Sequence, residues 1–396
     1  MAQTCTTGDE APQNTQNFRN SQLGQAEPAQ PPDPDPIRVA SPAALLAAVP
    51  HLLGFRPEAS LVVIGTEPPR SSVKVTLRYD LPNPPGAGVA ADMAAHAVGV
   101  LGSQQLTSAV AVAYGPEALA GLVADALRDA AREAGLELRE FLRVQDGRYW
   151  SYVCRDEACC PAAGVPFDAS ADSGLAHERV LPDRAAVAAR VAPLGGIAAE
   201  SMRQATRRAE RHVTQSLARA RKSGRLGAVR HLIASEGLAT ASAMITAYRA
   251  GGRFTTDYEL ARMTVALRDL RVRDDAWARM DPAFRDAHRR LWTDVARRAQ
   301  PGYVAAPAAL LGFVAWQCGD GALANVALDR ALADDPRYSM ALLLRQVITA
   351  GAPPSMARLP MTPEEVAASY DDALADADDD HEMDLDVRET DSADEP

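Results

Sequence analysis

The sequence predicts an α/β N-terminal domain with a mixed sheet and helices, followed by an all-α C-terminal domain that includes a tetratricopeptide-like helical hairpin, between disordered termini. Three observations predict it. Apolar runs of strand length stop before about residue 165, helical spacing takes over beyond Pro182, and the first 37 residues carry too few large apolar side chains to pack while the last 26 are dominated by acidic ones. The boundaries that follow are 1–37 for a disordered N-terminal segment, 38–180 for the α/β domain, 181–355 for the helical domain and 356–396 for an acidic disordered tail.

The first segment is rich in Gln, Asn, Pro and Thr and buries too little to offset the entropy of ordering, and its close, Pro31-Pro32-Asp33-Pro34-Asp35-Pro36, reads as a stiff linker. Ser41-Pro42 supplies an N-cap and a first-turn proline for a short helix through Leu45, Leu46 and Val49, with Gly54 just past it. Leu61-Val62-Val63-Ile64, closed by Gly65, is the continuous apolar run of a strand covered on both faces. Val73, Val75, Leu77 and Tyr79 alternate with polar residues, as in a strand wet on one side, and the short connection between the two makes them an antiparallel pair.

Residues 109–114 form a further buried strand, and Gly115-Pro116-Glu117 opens a helix whose Leu119, Leu122, Val123 and Leu127 share a face before Gly135 ends it. Leu136, Leu138, Leu142 and Val144 alternate again, and Asp146-Gly147 turns the chain into a hairpin strand over 149–154. In the second half, Thr256 and Glu259 stand at capping-box spacing ahead of Leu260, and Asp281-Pro282 opens another helix. Leu311-Gly312, Ala315, Ala324, Leu328, Ala331 and Pro336 keep the offsets of a tetratricopeptide-like pair turned at Gly319-Asp320-Gly321. The preceding residues do not repeat the pattern in phase, so a single hairpin closed by a helix over 338–348 is expected rather than a peptide-binding array.

Charge is unevenly placed. Residues 371–396 carry 13 acidic side chains against one Arg, so a net charge of -11 leaves everything before them at about +1. Lys74 and Lys222 are the only lysines beside 39 arginines, a codon habit before it is a function. The N-terminus has no secretory apolar core and no run is long and apolar enough to span a membrane, which with five cysteines, an odd number, points to the cytoplasm and to no membrane partner. Phosphate-cradling, dinucleotide, zinc-protease and nucleophile-elbow motifs are all missing.

Two constellations remain. Cys154, Cys159 and Cys160 cluster at the end of the hairpin with His177 downstream. Zinc takes about four ligands, usually as two pairs two to four residues apart, and this spacing departs from that pattern, so a structural turn outweighs zinc binding here. Redox or nucleophilic use asks further for a base such as His177 or His51. The other constellation is a helix on which Arg203, Arg207, Arg208, Arg211, Arg219, Arg221 and Lys222 occupy one arc and Met202, Ala205, Ala209, Val213, Leu217 and Ala220 the opposite one. From residue 201 to 230 nine basic residues face Glu210 alone, enough to attract an acidic protein surface or phosphate backbones, although the stretch has no aromatics for base stacking and doubles as an ordinary solvated face. The acidic tail is a candidate internal partner for this arc. Its Asp376, Asp378 and Asp380 do not make a calcium loop, because His381 stands where glycine is required and Val387 where glutamate is.

Residues 50–63 (PHLLGFRPEASLVV), 78–82 (RYDLP), 148–154 (RYWSYVC), Cys159-Cys160-Pro161, Ala315-Trp316 and Ala341-Leu342-Leu343 together resemble the actinobacterial domain-of-unknown-function family 4192 from about residue 41 to 354. The resemblance implies an actinobacterial, cytoplasmic protein and transfers no catalytic residue, substrate or cofactor. Within its first motif, Phe55 is expected beneath the sheet and Arg56 and Glu58 as a structural ion pair. The leading expectation is non-catalytic binding or regulation of a protein partner through the helical half. The alternatives are a metal- or thiol-dependent enzyme using Cys154, Cys159 and Cys160, with zinc as its cofactor, and weak sequence-independent nucleic-acid binding through the arginine arc.

Overall fold

The structure is a computed structural model that describes residues 41–67, 72–168, 180–254, 256–357 and 361–371. The expected N-terminal segment, His177 and the tail from residue 372 lie outside the described residues. The first helix, α1 (Pro42–Leu53), starts where Ser41 Oγ accepts the Ala44 N–H at 3.1 Å and ends at Gly54.

Six strands follow among the described residues: β1 (Ser60–Glu67), β2 (Ser72–Asp80), β3 (Ser108–Tyr114), β4 (Glu137–Gln145), β5 (Arg148–Ser151) and β6 (Val165–Pro166). They form one sheet in the order β2-β1-β3-β4-β5-β6, in which the β3–β4 pair is parallel and the other pairs antiparallel. A parallel pair needs a crossover, and α3 (Glu117–Glu133) supplies it. The apolar run of β1 is continuous because both faces are covered. Leu61 and Val63 pack with α3 and with α2 (Ala87–Ser103), whereas Val62 and Ile64 pack with Leu45, Leu46 and Val49 of α1. Each of these strand side chains, fully buried, stabilises by about 1.5–3 kcal/mol over exposure.

The sequence reading misses α2 and the short β6. The first turns of the buried side of α2 are mostly alanine, with Ala90, Ala94 and Ala97 beside Met93, and its larger buried residues, Val98, Val100 and Leu101, gather only towards its end, so no stripe of large apolar residues runs its length.

The strand-to-helix change falls between β6 and α4 (Arg184–Val191). Then come α5 (Gly196–Lys222), α6 (Leu226–Arg249), α7 (Asp257–Ala266), α8 (Leu270–Ala278), α9 (Arg285–Arg298), α10 (Ala305–Gln317), α11 (Gly321–Asp334) and α12 (Ser339–Thr349), with residues 363–371 helical as well. The Thr256–Glu259 capping box opens α7. Asp281 caps a 3-10 turn, Pro282–Phe284, which then feeds α9. Buried along its length from Ala305 to Trp316, α10 is the centre of the helical core, where Tyr248, Leu260, Leu291, Trp292 and Phe313 meet. It forms the expected hairpin with α11, and the two approach so closely at Gly312 that a Cβ there would lie 2.8 Å from Leu328 Cδ2.

Phe55 corrects one expectation. Its ring, 2% exposed, packs into the helical cluster instead of beneath the sheet. Backbone pairing explains the difference, since Arg56 N–H donates to Leu181 O at 3.0 Å and Leu181 N–H to Gly54 O at 2.9 Å, tying this segment to the chain that enters α4. A second tie joins the Gln104 amide to the Gly351 carbonyl, with Val100 against Gly351.

Candidate functional site

The thiols sit on the loop between β5 and β6, and hairpin side chains shape that loop. Ser151 Oγ donates to Glu140 Oε1 at 2.7 Å while accepting the N–H groups of Val153 and Cys154 at 3.1 and 2.8 Å. The Asp156 carbonyl accepts from Cys159 and Cys160 N–H at 3.1 and 2.7 Å, which turns the chain back towards Cys154. Farther along, Trp150 Nε1 donates to Ala162 O at 3.0 Å and Arg148 Nη1 to Gly164 O at 2.9 Å. Gly164 has φ +76°, and a Cβ there would meet the Trp150 ring at 2.5 Å, so the loop requires glycine twice over. On its other face Trp150 carries the Arg143 guanidinium, 3.6 Å from the ring centroid, whose Nε lies 2.8 Å from Glu117.

The sulfurs of Cys154, Cys159 and Cys160 consequently all lie within 4.8 Å of one another. Cys159 is exposed and the other two are half-buried. Burial, followed by hydrogen bonds that the Cys160 thiol donates to Cys154 and Cys159 and by their charges, pushes the Cys160 thiol up to about 12. Cys318 caps α10 in the helical half, and His51 on α1 does not join the cluster.

The cationic arc lies on α5. Arg203, Arg207, Arg208, Arg211, Arg219, Arg221 and Lys222 are all exposed, while Met202, Ala209 and Ala220 are buried. Arg203 pairs with Glu200, and Arg208 lies 4.4 Å from the Tyr258 ring centroid. The other five make no ion pair among the described residues. Glu210, the one acid within the stretch, is held by the Tyr303 hydroxyl at 2.7 Å and does not neutralise them. Glu200 was legible from its i,i+3 spacing to Arg203, whereas Tyr258 and Tyr303 come from later elements and left no local signal.

Sequence reasoning also missed a cavity of about 180 Å³ where α5 to α8 meet, lined by His212, Val213, Glu236, Gly237, Arg262 and Val265 among others. The Glu236 carboxylate stands at its edge, 3.4 Å from Arg262 and 3.9 Å from His212. Arg56 and Glu58 are exposed and form no ion pair with each other. Arg78 supplies the nearby pair instead, 2.5 Å from Asp80 and 5.8 Å from the Phe55 ring centroid.

Fold and loop define a class: a mixed sheet tied to a helical array, with an ordered three-thiol loop at the sheet's edge. The chain belongs to the family described as domain of unknown function (DUF4192), which it matches over residues 42–355. No curated protein and no solved structure matches it. No helix among the described residues is long and apolar enough to cross a membrane.

Proposed function

We propose that this is a non-catalytic binding protein of the actinobacterial cytoplasm that docks an acidic protein partner on the cationic face of α5. The observation that carries the reading is the exposure of seven cations along one side of the helix, six of them without an acid partner among the described residues. Such a field speeds encounter with an acidic surface and gives binding that weakens with salt. An odd number of cysteines supports the compartment, and the family resemblance, with which the arginine and alanine bias agrees, supports the source.

Polyglutamate is a suitable probe of the face. The full chain is expected to bind it at low salt and release it as salt rises, and the triple reversal Arg203→Glu, Arg207→Glu, Arg211→Glu should weaken retention by roughly tenfold or more. Equal retention of the two proteins would overturn the proposal. Binding to duplex DNA with a steeper salt slope than to polyglutamate would reassign the partner to nucleic acid.

A further inference from the structure

We infer that Cys154, Cys159 and Cys160 form a three-thiolate site for one thiophilic d10 cation of the zinc class, with a fourth coordination position open to water or an exogenous ligand. Geometry carries this independently of the α5 reading. Thiolates at a Zn–S distance of about 2.3 Å around a tetrahedral ion are separated by roughly 3.8 Å, and the three sulfurs already lie within 4.8 Å of one another. Only a small contraction is needed.

The loop is built to hold that arrangement. Cys154 N–H is fixed by Ser151 Oγ, and the N–H groups of Cys159 and Cys160 converge on one carbonyl, that of Asp156. Beyond the thiols, Trp150 and Arg148 tie down Ala162 and Gly164. Ligands placed by hydrogen bonds outside the coordination sphere are what a metal site needs to limit the entropy of ordering.

Disulfide formation accounts for the cluster less well. Adjacent residues have Cα atoms about 3.8 Å apart, short of the usual 4.4–6.8 Å span, which disfavours a Cys159–Cys160 bridge. Pairing Cys154 with either neighbour leaves the third thiol unused. Coordination uses all three and needs no oxidant: the thiols release three protons to solvent, and a divalent ion with three thiolates carries a net charge of -1. Soft thiolate donors select zinc or copper(I) over magnesium and calcium. Three protein ligands with one position left open is the arrangement of zinc sites that act on a ligand, whereas purely structural sites are closed by four.

The test uses the reduced full chain, stripped by chelator and reloaded with Zn2+, with bound metal measured by elemental mass spectrometry after desalting. About one zinc per chain is expected, falling by roughly tenfold in Cys154→Ser and in Cys160→Ser and unchanged in the Cys5→Ser, Cys318→Ser double variant. Because a serine variant can disturb the loop, alkylation of the unmutated chain is mapped in parallel. Zinc should shield Cys154, Cys159 and Cys160 and leave Cys318 as reactive as before. Undiminished zinc in the Cys154 and Cys160 variants, less than about a tenth of an equivalent on the unmutated chain, or equal alkylation with and without zinc would each overturn the inference. None of these outcomes bears on retention by the α5 face.

Discussion

His288 is the residue whose environment has the clearest consequence for stability. It is 1% exposed on α9, and its Nε2 has no hydrogen-bond partner among the described residues. Burial, with the nearby Arg249 charge adding to it and Asp281 opposing, pushes its pKa down to about 4. In the unfolded chain the same imidazole titrates near 6.5. Between those values the unfolded state binds a proton that the folded state refuses. The stability present above about pH 6.5 is therefore lost as pH falls towards about 4, by on the order of 3 kcal/mol in total, and His288 removes no more below that. Urea midpoints at about pH 7 and about pH 4 should fall less in His288→Gln than in the unmutated protein, and an equal acid loss in both would refute the assignment.

Among the elements, α10 depends on a cap that comes from another helix. Asp334, the last residue of α11, accepts the N–H groups of Gly302, Val304 and Ala305 at 2.7, 2.9 and 3.0 Å. A carboxylate there satisfies donors that the helix itself cannot and opposes the positive end of its dipole. Asp334→Ala should lower unfolding free energy by about 2 kcal/mol in urea, and Asp334→Asn by less, since the amide oxygen still accepts. Equal losses in the two variants would assign the effect to packing. Thr256 and Glu259 do the same for α7 from within three residues, which is why that start was legible and the α10 cap was not. The absence of such a local cue also hid α2, whose alanines acquire an inner face only once α3 lies against them.

For the whole molecule, Phe55 couples sheet and helices, beside the tie between Gln104 and Gly351. The described residues cohere as one unit, and the ring that leads the chain into β1 is buried among side chains of the helical half. Phe55→Ala should cost about 3–5 kcal/mol, and hydrogen exchange read separately in β1 and α10 should show both losing protection at the same, lower denaturant concentration. A variant in which α10 loosens while β1 keeps its protection would show two independent folding units.

Local chemistry sufficed where a pattern completes itself within a few residues. The apolar run of β1, the existence of β2 and β4, the Asp146-Gly147 turn, the Thr256 capping box and the α10–α11 hairpin could all be read directly, because periodicity and turn stereochemistry act between near neighbours, whereas the bulges that move Val73 off the face of Val75 and move Leu142 and Val144 off the face of Leu138 could not. The grouping of three cysteines and the arginine arc were legible for the same reason. Tertiary structure decided how closely the sulfurs approach, which arginines stay unpaired, that Phe55 joins the helical core, and that Arg56 and Glu58 do not pair with each other. The burial of Phe55 depends on contact with segments more than a hundred residues away, and the approach of the sulfurs on hydrogen bonds folded across their own loop, and the energies of both come from burial and hydrogen bonding that exist only after the chain has folded.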